Sequence, residues 1–235
     1  MKKRFLISLI WLLPSLVFGQ FAQTLYIFAG QGSDKRLFDS LTFDARYTVK
    51  FIDYGMPEKG ITLKEFAKKL AKQIDTTQKF SLIGVSFGGM ICSELNEFLN
   101  PERVIIISSA KNRYELPMGY QFQRVIPIYK IFPAVVLAAG AKFLQPIVEP
   151  DRNKQKATFK SMLSAKKPQY VKRTIAMIMT WDRVSNSKPI VHIHGTNDHT
   201  LPFSKVKATY IVPNGSHMIM LTRAKEINVL LDNEL

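Results

Sequence analysis

Short apolar runs alternate with helix-like stretches along most of this 235-residue chain, and that alternation limits the fold more than any other feature. "TLYIFAGQGSD" reads as a buried strand over residues 24–28 that runs into a glycine turn. "RYTVKFIDYG" is a second strand, followed by a turn at "GMPEKG". "ITLKEFAKKLAKQI" is a helix: Thr62 and Glu65 have the spacing of a capping box, and Leu63, Phe66, Leu70 and Ile74 mark one apolar face. "KFSLIG" is a third strand, and the helix predicted over residues 88–99 stops at Asn100-Pro101. The consecutive apolar residues of "RVIIIS" suit a parallel strand covered on both faces. "KPIVHIHG" and "ATYIVPNG" add two strands, and "TRAKEINVLLDNEL" closes the chain as a helix. The pattern predicts an α/β protein with a compact, mostly parallel sheet of about six strands.

Residues 111–187 break the alternation. They hold helical stretches and prolines at 117, 127, 133, 146, 150 and 168, with little that reads as strand. The segment reads as a helical cap inserted between the fourth and fifth strands. Its apolar run "IFPAVVLAAGA" is expected to be a buried helix, because it is short for a membrane element. The net charge is +15, and residues 111–187 contribute 14 Lys and Arg against 4 Asp and Glu. Such a patch attracts anionic substrates or an anionic membrane surface. No nucleic-acid-binding motif accompanies it, so nucleic acid is not an expected partner. The cap is expected to cover the site below it, with apolar residues lining an acyl pocket and Lys and Arg turned outward.

The first twenty residues follow a different logic. A basic start (Lys2, Lys3, Arg4) precedes an apolar stretch over residues 5–18, interrupted by Pro14. This is the pattern of a secretory signal peptide covering residues 1–19, with cleavage after Gly19 and a periplasmic or secreted product. An uncleaved membrane anchor is the alternative. The mature domain then spans residues 20–235.

Cysteine and histidine usage narrows the chemistry. Cys92 is the single cysteine, which excludes an intramolecular disulfide and a cysteine-built zinc site. The four histidines show no metal-ligand spacing, and no metal is expected.

Gly84-Val85-Ser86-Phe87-Gly88 is a GxSxG pattern with a strand before it and a helix after it. In that setting a sharp turn lifts the serine hydroxyl out of the sheet, and small neighbours are needed because a side chain at 84 or 88 would meet adjoining backbone. A serine hydroxyl needs a base, and the base needs a group to orient it. "HIHGTNDHTLP" places Asp198 just beyond a strand, and "VPNGSHMIML" places His217 in the loop after the last strand. The candidate catalytic residues are therefore Ser86, Asp198 and His217.

With these residues in their order Ser, Asp, His, the chain resembles the α/β-hydrolase superfamily over essentially its whole mature length. The resemblance implies Ser86 as nucleophile, Asp198 as acid and His217 as general base, with no cofactor. It further implies an oxyanion loop at "FAGQGS", with the backbone N–H groups of Gln31 and Phe87 as donors and Ala29 where the family usually has histidine. The first two strands of the full fold are missing. Only 19 positions separate Asp198 from His217, so the helix usual between the last two strands is expected to shrink to a turn.

The implied activity is hydrolysis of a carboxylic ester, with thioesters, amides, lactones and carbon–carbon bonds left open. A non-catalytic binding protein on the same scaffold, docking anionic surfaces through the basic cap, is the alternative. His192 and His194 read as packed core or as neighbours of the site, His199 as an exposed turn residue and Asp53 as a loop carboxylate. Cys92 reads as a small buried residue, and Trp181 as packing for the cap.

Overall fold

The computed structural model describes residues 23–148 and 155–235, so the leader read from residues 1–19 lies outside the described part. Six strands form one all-parallel sheet: β1 (Gln23–Phe28), β2 (Tyr47–Phe51), β3 (Phe80–Val85), β4 (Val104–Ile107), β5 (Val191–Gly195) and β6 (Tyr210–Val212). Their spatial order is β2-β1-β3-β4-β5-β6. The chain moves outward from β1 to β2, then returns past β1 to lay down β3. The boundary between β1 and β3 is thus the point where the winding reverses, and in open parallel sheets a crevice opens there at the carboxyl ends of the strands.

Side-chain alternation divides the core between the two faces of the sheet. Tyr26, Phe28, Leu82 and Ile106 point to one face, where they meet α1 (Leu63–Leu70) and α2 (Phe87–Asn96). Leu25, Ile27, Ile83 and Ile105 point to the other, against α7 (Ile219–Thr222) and α8 (Ala224–Glu234). All six residues of β3 are buried, as a central parallel strand requires. The α1 capping box is present in full: the Thr62 hydroxyl accepts from the Glu65 N–H, and the Glu65 carboxylate accepts from the Thr62 N–H. Its apolar face buries Leu63, Phe66, Ala67 and Leu70. The α2 helix ends at Asn96, three residues before the expected Leu99, and residues 97–99 close it as a turn.

Between β4 and β5 stand α3 (Met118–Val125), α4 (Ala134–Val148), α5 (Lys156–Ser164) and α6 (Pro168–Thr180). The largest buried face in this segment is that of α6, through Tyr170, Val171, Thr174, Met177 and Ile178, with Met162 of α5 also buried. The expectation of a buried "IFPAVVLAAGA" helix is corrected: α4 packs along α6 on one flank, but Val135 and Val136 are exposed and none of residues 134–143 is fully buried. Apolar composition alone could not reveal which helix lies against the core, because α6 occupies that position with a more polar sequence. Between β5 and β6 a single 3-10 turn over Phe203–Lys205 replaces the usual helix.

Candidate active site

Ser86 leaves β3 and starts α2 with φ 52° and ψ −120°, on the side of backbone space that side chains seldom occupy. Two glycines make the turn possible. A Cβ at Gly84 would lie 2.5 Å from the Gly88 carbonyl oxygen, and one at Gly88 would lie 2.2 Å from the Phe28 carbonyl oxygen. The turn is pinned by two hydrogen bonds. The Ser86 N–H donates to the Ile107 carbonyl (3.0 Å), and the Ser109 hydroxyl donates to the Ser86 carbonyl (2.6 Å).

The fold brings Ser86, His217 and Asp198 together from the ends of three different strands. His217 Nδ1 lies 2.8 Å from Asp198 Oδ2, and His217 Nε2 lies 2.9 Å from Ser86 Oγ. A carboxylate only accepts, so Nδ1 carries the hydrogen and Nε2 is left to accept from the Ser86 hydroxyl. The other Asp198 oxygen accepts from the Thr200 N–H (2.9 Å) and the Leu201 N–H (2.8 Å). Burial pushes the Asp198 carboxyl up, but His217, His194 and the Leu201 N–H outweigh it and hold the carboxyl below its usual range. The carboxylate therefore stays ionised while nearly inaccessible.

Behind Asp198 sits a pair of further imidazoles, His192 and His194. His194 Nε2 lies 2.8 Å from the Leu201 carbonyl and 3.3 Å from Asp198 Oδ2, and both of those oxygens accept. Nε2 is therefore the protonated nitrogen, so His194 Nδ1 accepts from His192 Nε2–H at 3.1 Å. Burial holds both rings below the ordinary histidine range, and for His194 it outweighs the pull of Asp198. These two histidines brace the acid. His199 instead is exposed and bonded to Asn197.

The turn after β1 lies against the nucleophile: a Cβ at Gly30 would be 3.4 Å from the Ser86 Cβ. Gln31 follows Gly30 in this turn, and Phe87 is the first helical residue of α2 after Ser86. The Gln31 side chain reaches away, donating to the Thr174 hydroxyl (2.7 Å) and the Val171 carbonyl (3.3 Å) of α6. One supporting residue was not singled out in the sequence. The Tyr54 hydroxyl donates to the Ala29 carbonyl at 2.7 Å, with its ring held among Phe28, Phe66 and Phe87. Burial, then Tyr170 and Cys92, push that phenol well above its ordinary value, so it remains a donor. The only sequence signal for it was an aromatic residue following β2.

A cleft of about 340 Å³ opens beside this loop, lined by Ala29, Ser33, Asp53, Tyr54, Lys166 and Tyr170 among others. Asp53 also accepts from the Gly55 N–H, as a turn carboxylate does. Cys92 is fully buried on α2, and burial pushes its thiol well up. Trp181 is buried and donates through Nε1 to Glu94 of α2 (2.7 Å), tying the end of α6 to the helix that carries the serine. Among the described residues, no group of three or more His, Cys, Asp or Glu is placed to hold a metal ion.

A six-stranded parallel sheet with helices on both faces, a strained serine at the β3–α2 turn, and an acid and a histidine delivered after β5 and β6 define the α/β-hydrolase fold, and the chain has that fold. Solved structures similar to it include a lipase-esterase related protein from Clostridium acetobutylicum, with 18% identity and a TM-score of 0.66 over 91% of this chain and 95% of that one. A thermophilic esterase from Thermogutta terrifontis has 12% identity and a TM-score of 0.68 over 90% and 88%. Est816, described as an N-acyl homoserine lactone degrading enzyme, has 17% identity and a TM-score of 0.66 over 91% and 93%. No protein-family model and no curated protein matches the sequence significantly.

Proposed function

We propose that this chain is a serine hydrolase that cleaves carboxylic esters through an acyl-enzyme. The observation that carries the reading is the continuous run of hydrogen bonds from Ser86 Oγ through His217 to Asp198. In the first step the Ser86 oxygen attacks the ester carbonyl as His217 Nε2 takes the hydroxyl proton. His217, now cationic and held by Asp198, returns that proton to the departing alkoxide, and the acyl group remains on Ser86. A water then attacks the acyl carbon, giving a proton to His217; the bond from the acyl carbon to Ser86 Oγ breaks, His217 returns that proton to Ser86, and the carboxylic acid leaves. The backbone N–H groups of Gln31 and Phe87 stabilise the tetrahedral oxyanion at each stage. The chemistry calls on no cofactor. Esterases among the similar folds support a small ester as substrate.

The chain is proposed to act outside the cytoplasm after removal of residues 1–19, a reading supported by its basic start and short apolar stretch. Labelling of the purified protein by a fluorophosphonate probe tests the mechanism. Wild type should be labelled and Ser86→Ala should not, and equal labelling of both would overturn the assignment. A panel of esters graded in acyl length would then define the substrate. Mass spectrometry of protein from its native envelope tests export, and an intact Met1 end would refute cleavage.

A further inference from the structure

Among the described residues, exposed apolar side chains are concentrated in one segment. Seventeen large hydrophobic side chains are exposed among the described residues, and eleven of them fall within residues 114–143. On α3, Met118, Phe122 and Val125 recur at helical spacing and are 73%, 52% and 79% exposed. Ile131 at the following turn is 79% exposed, and Val135 and Phe143 on α4 are 62% and 77% exposed. All three elements pack on α6, so these side chains stand on the side away from it. Exposed apolar side chains gathered on three successive elements around one helix mark an interaction surface.

The charge around the face says what covers it. Residues 116–148 contain no Asp or Glu, and neither do residues 155–180. At the edge of the face, a groove of about 640 Å³ runs between the turn at residues 59–61 and α6. Lys59, Lys130, Lys172 and Arg173 line it, and no carboxylate does. None of Arg124, Lys130, Lys172 and Arg173 pairs with a carboxylate among the described residues. Lys172 and Arg173 are instead held by backbone carbonyls, of Phe132 and Pro57, which fix their position without neutralising them. A second copy of this chain would bring a like-charged segment against this one, which is repulsive.

An anionic lipid surface satisfies both halves of the arrangement, apolar contact from its acyl region and anionic headgroups for the cations. We infer that the face formed by α3, the Ile128–Phe132 turn and α4 docks on an anionic lipid surface, with headgroups seated in the Lys59–Lys130–Arg173 groove. Docking there is peripheral, since no helix among the described residues is long and apolar enough to cross a membrane. It places the hydrolase at the bilayer surface and restricts the substrates it meets first to those in or near lipid.

The test is co-sedimentation of the full chain with vesicles of phosphatidylcholine alone or mixed with phosphatidylglycerol, without substrate, so that docking and hydrolysis succeed or fail separately. The full chain should bind the mixed vesicles more tightly, and the preference should shrink as salt screens the charge. Phe122→Ser combined with Ile131→Ser should weaken binding at least about tenfold with unchanged thermal melting, since both side chains are exposed in solution. Lys59→Gln with Lys130→Gln should reduce the preference for phosphatidylglycerol. Val229→Ser, which removes an exposed apolar side chain on α8, should bind as wild type. Three results would each overturn the inference. One is absence of vesicle binding. Another is binding unaffected by the Phe122 and Ile131 changes, which would assign it to residues 5–18, present in every variant. The third is self-association in lipid-free solution that the same changes abolish.

Discussion

The Tyr54 hydroxyl donates a 2.7 Å hydrogen bond to the carbonyl of Ala29, two residues before Gln31 in the loop that faces Ser86. Alanine at this position offers no polar side chain to support the loop, and Tyr54 supplies the support from the segment that follows β2. Its ring is fixed by Phe28, Phe66 and Phe87, so the phenol arrives at the carbonyl already oriented. Tyr54→Phe keeps the ring packing and removes only that bond. Stability should fall by about 1 kcal/mol. With Gln31 as the proposed oxyanion donor on this loop, turnover should fall between about tenfold and a hundredfold, because small displacements of such donors are costly. Ester kinetics alongside thermal melting checks both, and a variant with unaltered turnover would show that the loop holds its position without Tyr54.

The hydrogen-bonded run from Asp198 to Ser86 predicts a graded loss of activity. Ser86→Ala and His217→Ala each remove a proton-transfer partner and should abolish most of the rate enhancement. Asp198→Asn preserves shape but presents an N–H or a weaker acceptor to His217 Nδ1, which favours the wrong tautomer. A loss of about ten-thousandfold in kcat is expected. Because the single changes disable one unit, the Ser86→Ala/His217→Ala double variant should be barely slower than either alone. Additive losses would mean that the two side chains act independently.

Much of this arrangement could be read from the sequence, and the reasons are local. The strand "RVIIIS" and the glycines around Ser86 state their geometry directly, since burial on two faces, and backbone so close that a Cβ at Gly88 would lie 2.2 Å from it, leave few alternatives. Thr62 and Glu65 likewise announce a helix start within four residues. What could not be read were contacts set by tertiary packing between distant segments. Tyr54 meets Ala29 only because β1 and β2 pair, and His194 meets Asp198 only because the chain turns back after β5. The outward position of α4 was illegible for a related reason. Its apolar sequence suits a buried helix and a docking face equally well.

Glu94 provides a stability prediction. Its carboxylate is 2% exposed on α2 and accepts from Trp181 Nε1 at 2.7 Å and from Arg183 at 2.8 and 2.7 Å. Glu94→Ala would leave the indole N–H unpaired and Arg183 with Glu97 as its remaining carboxylate at 3.2 Å, so the cost should fall below the about 3–5 kcal/mol of a fully stranded buried charge, at about 2 kcal/mol. Trp181 and Arg183 follow α6, so the loss should loosen the helical segment from the core as well. Denaturant unfolding should show a lower midpoint, and proteolysis should cut residues 111–187 before the sheet. A variant as stable as wild type would mean that packing alone fixes this junction.

The buried imidazole pair predicts an acid limb in stability. Burial first, and then His194 and Lys111, hold the His192 imidazole well below the ordinary value of 6.5, and burial also lowers His194 despite the pull of Asp198. In the unfolded chain both rings take a proton near 6.5, whereas in the fold they resist it. Between the lowered native values and 6.5 the unfolded state therefore binds more protons, so stability rises with pH across that window. The contribution is fully present above 6.5 and is lost as pH falls toward the native values. Asp198 adds to the limb further down: its lowered carboxyl stabilises the fold above the ordinary 3.8, and that stabilisation goes as pH falls through the native value. Urea midpoints should accordingly decline from about pH 7 to about pH 5 in wild type. His192→Gln retains a donor for His194 Nδ1 but cannot titrate, so its decline over the same range should be shallower. If the two profiles run parallel, the slope belongs to other groups and the pair does not hold its rings neutral.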